Sequence, residues 1–234
     1  VNTSGQAIGS GVGSGTMQGI ESGFCKNNSN VGTGFTIQLK DARDSNTYKI
    51  MKMPDGTCWM VENLRLGNDT TKIPLTANDT DLNGTLKNWT LPASYESENP
   101  GKVWNDSGNN EAMVKTGKNL GTSYKEAYGN YYSWCAATAE TCMNGTNPLN
   151  NTDAPSSICP KGWQLPVGTT GAGSFQSIYA SYPNSASAGW STNQTVSYNG
   201  GTSAGYSGKR FGVNSADAFF PAAGYVYSNG LGNA

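Results

Sequence analysis

The chain has 234 residues, which suffices for one large β-rich domain or two small ones. Charged residues make up only 13% of it and the formal net charge is -1, with no clusters of Lys and Arg, so binding to nucleic acid or to an anionic membrane is not expected. Aromatic residues at 10% argue against disorder, and no window approaches the roughly 18 apolar residues of a transmembrane helix. The composition is typical of a secreted, loop-rich β protein.

The first 16 residues, VNTSGQAIGSGVGSGT, are rich in Gly and Ser. Such a segment buries too little apolar surface to offset its ordering entropy, which predicts a flexible arm over residues 1–16. The alternative is that Ala7, Ile8 and Val12 belong to an extended arm that pairs with a sheet edge of the next subunit. The remaining residues, 17–234, are expected to form a single domain.

Residues 41–67 predict a β-hairpin. Two runs rich in Tyr, Ile, Met, Trp and Val flank Pro54-Asp55-Gly56, where proline presets the first turn angle and glycine accepts a positive φ. Before the hairpin, residues 35–39 alternate like a strand, and residues 17–25 predict a short helix or turn.

Residues 67–125 show little periodicity and predict a long irregular insertion, which contains Trp89 and Trp104. The aromatic run YGNYYSW at 128–134 leads into an alanine-rich stretch at 136–139 that predicts the start of a short helix. We expect Trp134 to pack in the core. The neighbouring Tyr131 and Tyr132 have two interpretations, core packing or a surface on which sugar rings or a partner protein stack.

The C-terminal third mixes three kinds of pattern. Residues 159–166 have proline near both ends and predict an extended segment at a sheet edge. A helix is predicted at 174–182, because Phe175, Ile178, Tyr179 and Tyr182 follow helical spacing. Residues 184–209 are polar and Gly-rich, and residues 216–226 return to a strand-like pattern.

The chain contains no His, which removes the usual general base and the commonest metal ligand. A glycosidase would have to rely on paired carboxylates, for which the candidates are Asp41, Asp44, Asp55, Glu62 and Asp217. The competing interpretation is that the first three cap turns, while Glu62 pairs with Arg43 or Arg65. We therefore do not expect an enzyme.

Four stretches in a fixed order carry a family resemblance. They are D-x-R-D-x-x-x-Y with D-G-x-C-W-M-x-E-N-L in residues 41–64, YGNYYSW at 128–134, ICPKGWQLP at 158–166 and FPAAGY at 220–225. In this order the chain resembles the Fibrobacter succinogenes major paralogous domain family of bacterial cell-surface modules. The resemblance implies an α+β fold similar to C-type lectins, with β-hairpins, one or two short helices and long irregular loops. It also implies kinship with the C-terminal domain of Legionella collagen-like adhesins, and it implies no reaction.

The five cysteines lack a C-x-x-C pair, which makes a zinc site less favoured than disulfides in an oxidising compartment. We expect Cys25 and Cys58 to join the N-terminal segment to the hairpin, and Cys135 and Cys142 to close a short loop. Cys159 then stays a thiol or pairs with a cysteine outside this segment, because members of the family usually continue to a later cysteine-containing strand.

These observations predict an extracellular module of the bacterial cell surface. The leading hypothesis is adhesion: a glycan or a protein binds through exposed aromatic residues, with Tyr131, Tyr132, Trp104 and Trp89 as candidates. The alternative is a structural subunit of a filament or pilus that self-associates through its N-terminal arm or an open sheet edge. A lectin-like fold suggests Ca2+, but the nearest acidic cluster, at 78–81, lacks a calcium-loop motif and is expected to be a solvated loop, so no cofactor or metal is predicted.

Overall fold

The computed structural model describes residues 15–20, 23–27, 32–67, 70–93, 114, 129–141 and 154–166, together with the backbone of 115–116, 188–198, 201–213, 216–221, 226–227 and 230–231. The chain divides into two compact units: residues 1–62 with 168–222, and residues 63–167 with 223–234. Residues 1–14 of the predicted arm, Trp104 and the predicted helix at 174–182 lie outside the described residues.

The first unit contains the predicted hairpin. Strands β1 (Thr36–Lys40), β2 (Thr47–Lys52) and β3 (Cys58–Met60) form an antiparallel sheet in the order β1-β2-β3. The turn between β2 and β3 includes Gly56 at φ 86°, as the Pro-Asp-Gly sequence predicts. Along β1, buried Ile37 and Leu39 alternate with exposed Gln38 and Lys40, so one face of the sheet covers the core.

The N-terminal segment packs on this sheet through two short helical pieces. A 3-10 turn spans Met17–Gly19 with Thr16 as its N-cap, and helix α1 spans Phe24–Asn27. Phe24 and Cys25 are buried in a small cluster that includes Cys58. The predicted disulfide between Cys25 and Cys58 is confirmed, with the two Cα atoms 5.4 Å apart.

A second antiparallel sheet in the same unit has the order β10-β9-β8. Its strands are β8 (Ala188–Tyr198), β9 (Gly201–Val213) and β10 (Ala216–Pro221). β10 confirms most of the strand predicted at 216–226. The polar, Gly-rich composition of 184–209 does not by itself predict the long β8–β9 hairpin.

The second unit consists of three two-stranded antiparallel ladders and one short helix within its described residues. β4 (Ile73–Thr76) pairs with β5 (Asn88–Leu91), β6 (Val114–Thr116) with β7 (Asn130–Tyr132), and β11 (Val226–Tyr227) with β12 (Gly230–Leu231). The prediction of an irregular insertion at 67–125 is therefore wrong for β4, β5 and β6. A hydrophobic core joins β4, β5 and β6 to the short helix, and its buried members are Leu66, Leu75, Leu82, Leu91, Val114, Ala136, Ala139 and Ile158.

Helix α2 (Trp134–Ala137) confirms the predicted short helix, although it begins two residues earlier than the alanine-rich stretch suggests. The cause is Ser133, whose Oγ accepts a hydrogen bond of 3.2 Å from the N–H of Ala136 and so starts the helix. The prediction that Trp134 packs in the core is wrong, because this side chain is 49% exposed. Buried Ala136 faces the core, and Trp134 lies about 200° away around the helix axis.

The segment at 154–166 lies beside the loop that joins β4 and β5. Thr80 and Pro160 form an isolated antiparallel bridge outside the named strands, so the predicted extended segment at a sheet edge is not confirmed. A turn at Lys161 and Gly162 follows, with Gly162 at φ 84°. Taken together, the described elements are mixed α+β with small antiparallel sheets, and none of the described helices is long and apolar enough to cross a bilayer.

Candidate functional site

Trp134 is the one large hydrophobic side chain that is exposed among the described residues. Its backbone is held on both sides. Ser133 caps the helix before it, and Cys135 after it is buried and belongs to a disulfide whose expected partner, Cys142, lies outside the described residues. The carbonyl of Trp134 accepts hydrogen bonds from the N–H of Thr138 at 3.0 Å and from its Oγ1 at 2.9 Å. The indole is therefore presented to solvent from a fixed backbone.

The two tyrosines before this tryptophan lie on opposite faces of β7, because side chains alternate along a strand. Tyr132 packs against the core of the second unit, and its hydroxyl donates a hydrogen bond of 2.6 Å to the carbonyl of Leu66. Tyr131 is half-buried on the other face, in a strand position paired with Lys115. The structure thus gives Tyr132 a packing role, and both tyrosines are half-buried.

Trp89, another predicted binding residue, is half-buried on β5 opposite Leu75 and packs against the same core as Tyr132. Packing therefore accounts for both of these aromatic side chains, and their binding role stays a prediction. The sequence did contain a signal for the exposure of Trp134. A serine N-cap directly before it makes it the first residue of the helix, two positions from the small residue that faces the core.

Three of the candidate catalytic carboxylates cap turns. The Oδ1 atoms of Asp41, Asp44 and Asp55 accept hydrogen bonds of 3.0, 2.9 and 2.9 Å from backbone N–H groups two residues later in the chain. This arrangement is the Asx turn that the sequence predicts for them. Burial raises the pKa of Asp44 above its usual value, and its carboxylate also accepts from the side-chain amide of Asn46.

Asp41 is fully buried with Arg43, and their Oδ2 and Nη2 atoms are 2.6 Å apart. Burial alone raises the pKa of Asp41, but hydrogen bonds and the positive charge of Arg43, with a further hydrogen bond from Gln18, outweigh it and lower this pKa below its usual value. Arg43 therefore pairs with Asp41, which corrects the suggested pairing of Arg43 with Glu62. The Oε2 of Glu62 accepts a 2.6 Å hydrogen bond from the N–H of Lys49.

These contacts give four of the five candidate carboxylates a structural role. The fifth, Asp217, lies on β10, where only the backbone is described. The geometry of the described carboxylates thus favours turn formation and internal bonding.

The acidic cluster at 78–81 is a structured turn, which corrects the prediction of a solvated loop. Thr80 is fully buried, and Asp79 Oδ1 accepts 2.9 Å hydrogen bonds from both the N–H of Thr76 and the hydroxyl of Thr80. Asp81 accepts from Ser157 at 2.9 Å, and burial raises its pKa. In the part of the chain that the structure describes, no group of three or more His, Cys, Asp or Glu side chains is placed to hold a metal ion.

Comparisons with protein-family models, curated proteins and solved structures give no match for this chain. The membership of the Fibrobacter succinogenes major paralogous domain family and the similarity to C-type lectins therefore stay predictions.

Proposed function

We propose that the protein is an extracellular recognition module of the bacterial cell surface, with a fold similar to C-type lectins, and that it binds a sugar ring of a surface glycan on Trp134. The observation that carries the proposal is the exposed indole of Trp134 on a backbone fixed by a helix cap and a disulfide-bonded neighbour.

The physical reason is preorganisation. A sugar ring presents a face of C–H groups that fits the flat apolar face of an indole, and the indole N–H remains available as a hydrogen-bond donor. Because Ser133 and Thr138 already hold the backbone of Trp134, little conformational entropy remains to be lost when a ligand binds.

Two further features support a surface module that binds without catalysis. The disulfide between Cys25 and Cys58 is of the kind that persists in oxidising, extracellular environments. In addition, the carboxylates of Asp41, Asp44 and Asp55 are engaged in turns, a role that explains their presence without an acid–base function.

The test is a glycan array followed by titration calorimetry on the best ligand. We expect Trp134→Ala to weaken binding by about 30-fold, the effect of truncating a central aromatic anchor, and Trp134→Phe to retain most of the affinity. Tyr132→Phe is the control, because it removes a hydroxyl that faces the core and should leave the affinity unchanged.

Thermal unfolding of each variant separates lost binding from lost folding. Equal affinity of the wild type and Trp134→Ala for the glycan would show that Trp134 is not the binding residue. Saturable binding to a protein, with no glycan bound on the array, would reject a glycan as the ligand.

A further inference from the structure

The hairpin of β4 and β5 carries sequons of the type N-x-S/T, the acceptor sequence for attachment of glycans to asparagine in secreted proteins. Three of them lie where the structure describes the side chains, at Asn78, Asn83 and Asn88. A transferase that modifies a folded chain has to reach both the amide of the asparagine and the hydroxyl two residues later. The geometry of the hairpin therefore decides which of these sequons is an acceptor.

The sequon at Asn78 has a hydroxyl that an enzyme cannot reach. Asn78 itself is exposed, but Thr80 is fully buried and its hydroxyl donates a 2.9 Å hydrogen bond to Asp79 Oδ1. The backbone of Thr80 also forms the bridge to Pro160. Exposure of this hydroxyl would require the turn at 78–81 to open, so the structure disfavours modification at Asn78.

The sequon at Asn88 is exposed but belongs to a paired strand. Asn88 and Thr90 lie on β5, which is hydrogen-bonded along its length to β4. Trp89, between them, packs against the hydrophobic core of the second unit. The three residues cannot leave the ladder to enter the cleft of an enzyme without losing these contacts, which also disfavours Asn88.

The sequon at Asn83 lies in the connection between β4 and β5, where Asn83, Gly84 and Thr85 are all exposed. The N–H of Leu86 donates a 3.2 Å hydrogen bond to the carbonyl of Asn83, which closes a β-turn with Gly84 at φ 61° as its second residue. A Cβ built at Gly84 would have nothing within 4 Å, so the turn projects into open space. Both groups that a transferase needs are therefore accessible in this sequon.

Hydrogen bonds fix the base of this turn. The N–H of Asn83 donates a 3.0 Å hydrogen bond to Ser156 Oγ, and its side-chain Nδ2 donates one of 2.7 Å to Asp81 Oδ1. Asp81 is itself held by the hydroxyl of Ser157, which donates to Oδ2 at 2.9 Å. The amide of an asparagine has two N–H groups, and the bond to Asp81 uses one of them. A sugar can therefore replace the other hydrogen while the bond to Asp81 is kept.

Asp81 also distinguishes the sequence of this sequon. Bacterial oligosaccharyltransferases select the extended pattern D/E-x-N-x-S/T, in which the carboxylate adds a charged contact with the enzyme. The residues DLNGT at 81–85 follow this pattern. No other sequon that is preceded by two residues of the sequence has Asp or Glu at the same place. Accessibility and sequence thus select the same asparagine.

We propose that Asn83 is an N-glycosylation site of the exported protein, and that the donor is an oligosaccharide carried on a polyprenyl diphosphate. In the transfer, Asn83 Nδ2 forms a bond to the anomeric carbon of the sugar, and the bond from that carbon to the diphosphate oxygen breaks. The lipid diphosphate leaves with the bonding electrons, and one amide proton passes to a base of the transferase. No group is oxidised or reduced.

Mass spectrometry of the protein purified from its own cells tests the proposal. Trypsin cuts after Lys72 and Lys87, so Asn78 and Asn83 lie in the peptide 73–87 and Asn88 in the next peptide. We expect the mass of an oligosaccharide on peptide 73–87, assigned to Asn83 by fragmentation that keeps the glycan attached. An unmodified peptide, or a glycan at Asn78 or Asn88 instead, would overturn the proposal. Conversion of Asn83 to aspartate without a sugar would also overturn it, because it would show the spontaneous loss of ammonia that Asn-Gly pairs undergo.

Variants expressed in the same cells test the two neighbours of Asn83. Thr85→Val removes the hydroxyl but keeps the shape of an exposed side chain, so it should abolish the glycan, whereas Thr85→Ser should retain it. Asp81→Asn should likewise abolish the glycan, and Asp81→Glu, which keeps the charge, should retain it. Thermal unfolding of each variant verifies that the fold is intact. A glycan that persists on Asn83 in Thr85→Val or in Asp81→Asn would contradict the assignment.

Discussion

Gly129, directly before β7, occupies a position where only glycine fits. Its φ is 71°, and a Cβ built there would come within 2.7 Å of both the Asn63 Cβ and the Leu64 carbonyl oxygen. We expect Gly129→Ala to lower the free energy of unfolding by about 3 kcal/mol, through left-handed strain together with a backbone clash. Urea denaturation measures this loss.

Gly84 provides the matched control. It also has a positive φ, 61°, but a Cβ there would have nothing within 4 Å. Gly84→Ala should therefore lose only the conformational part, about 1 kcal/mol. Equal losses for the two variants would mean that the contact of Gly129 with Asn63 and Leu64 does not matter for stability.

Among the charged groups in the described part of the first unit, the ion pair of Asp41 and Arg43 is expected to contribute most to the free energy of unfolding. Asp41→Asn keeps the Oδ1 that accepts the turn hydrogen bond but removes the carboxylate charge that is paired with the buried Arg43 side chain, so it should lower the free energy of unfolding by about 3 kcal/mol. Asp55→Asn makes the same chemical change at an exposed Asx turn and should change stability by less than about 0.5 kcal/mol. Similar losses of unfolding free energy in Asp41→Asn and Asp55→Asn would show that the ion pair does not stabilise the fold.

The ion pair of Asp41 and Arg43 should also make the stability of the protein depend on pH. The pKa of Asp41 in the folded protein lies below its ordinary value of 3.8, so the stabilisation is fully present above pH 3.8 and is lost as the pH falls through the folded pKa. The difference in unfolding free energy between the wild type and Asp41→Asn should thus be constant near neutral pH and shrink in acid. A difference that grows in acid would reverse the assigned sign.

Among the elements, the two hairpins of the first unit differ in how readily the sequence reveals them. The β2–β3 hairpin has aromatic and β-branched residues on both sides of Pro54-Asp55-Gly56, which is a strong local signal. β8 and β9 are rich in Gly, Ser and Thr, which are also common in loops. The composition of this segment therefore does not distinguish the longer hairpin from a loop. Its one clear local signal is the Asn199-Gly200 pair between the strands, a preferred sequence for two-residue turns.

The disulfide between Cys25 and Cys58 joins α1 to β3 across 33 residues of sequence. Closing a loop of that length restricts the unfolded chain, which corresponds to about 4 kcal/mol in the chain-entropy model. We expect Cys25→Ala/Cys58→Ala to lose about this much stability in thermal or urea unfolding. Removal by mutation is preferable to reduction, because Cys135 belongs to another disulfide that reduction would also break.

Cys159→Ala is the control for the loss of a cysteine outside a disulfide. Cys159 is half-buried and keeps its thiol, so its replacement should cost less than about 1 kcal/mol. If the double variant at 25 and 58 unfolds like Cys159→Ala, the disulfide does not stabilise the first unit.

For the molecule as a whole, local patterns predicted the central hairpin, the first disulfide and the turn-capping aspartates, whereas the α+β class was implied by the family resemblance. They failed for Trp134, because an aromatic residue in an aromatic run suggests burial, whereas its exposure depends on where Ser133 starts the helix. They failed also for the turn at 78–81, because Thr80 becomes buried through its bridge to Pro160, 80 positions later in the chain. Contacts between distant residues are not visible in local composition.

The disulfides of the chain bear on its expected extracellular location, because such bonds persist in oxidising compartments. The sequence has five cysteines, of which Cys25, Cys58 and Cys135 are in disulfides and Cys159 is a thiol. With Cys142 as the expected partner of Cys135, the unfolded, unreduced chain of 234 residues should take up one equivalent of maleimide, and after reduction five, counted by mass. Three or more equivalents before reduction would show that a disulfide is missing, and would weaken the case for an oxidising compartment, where such bonds persist.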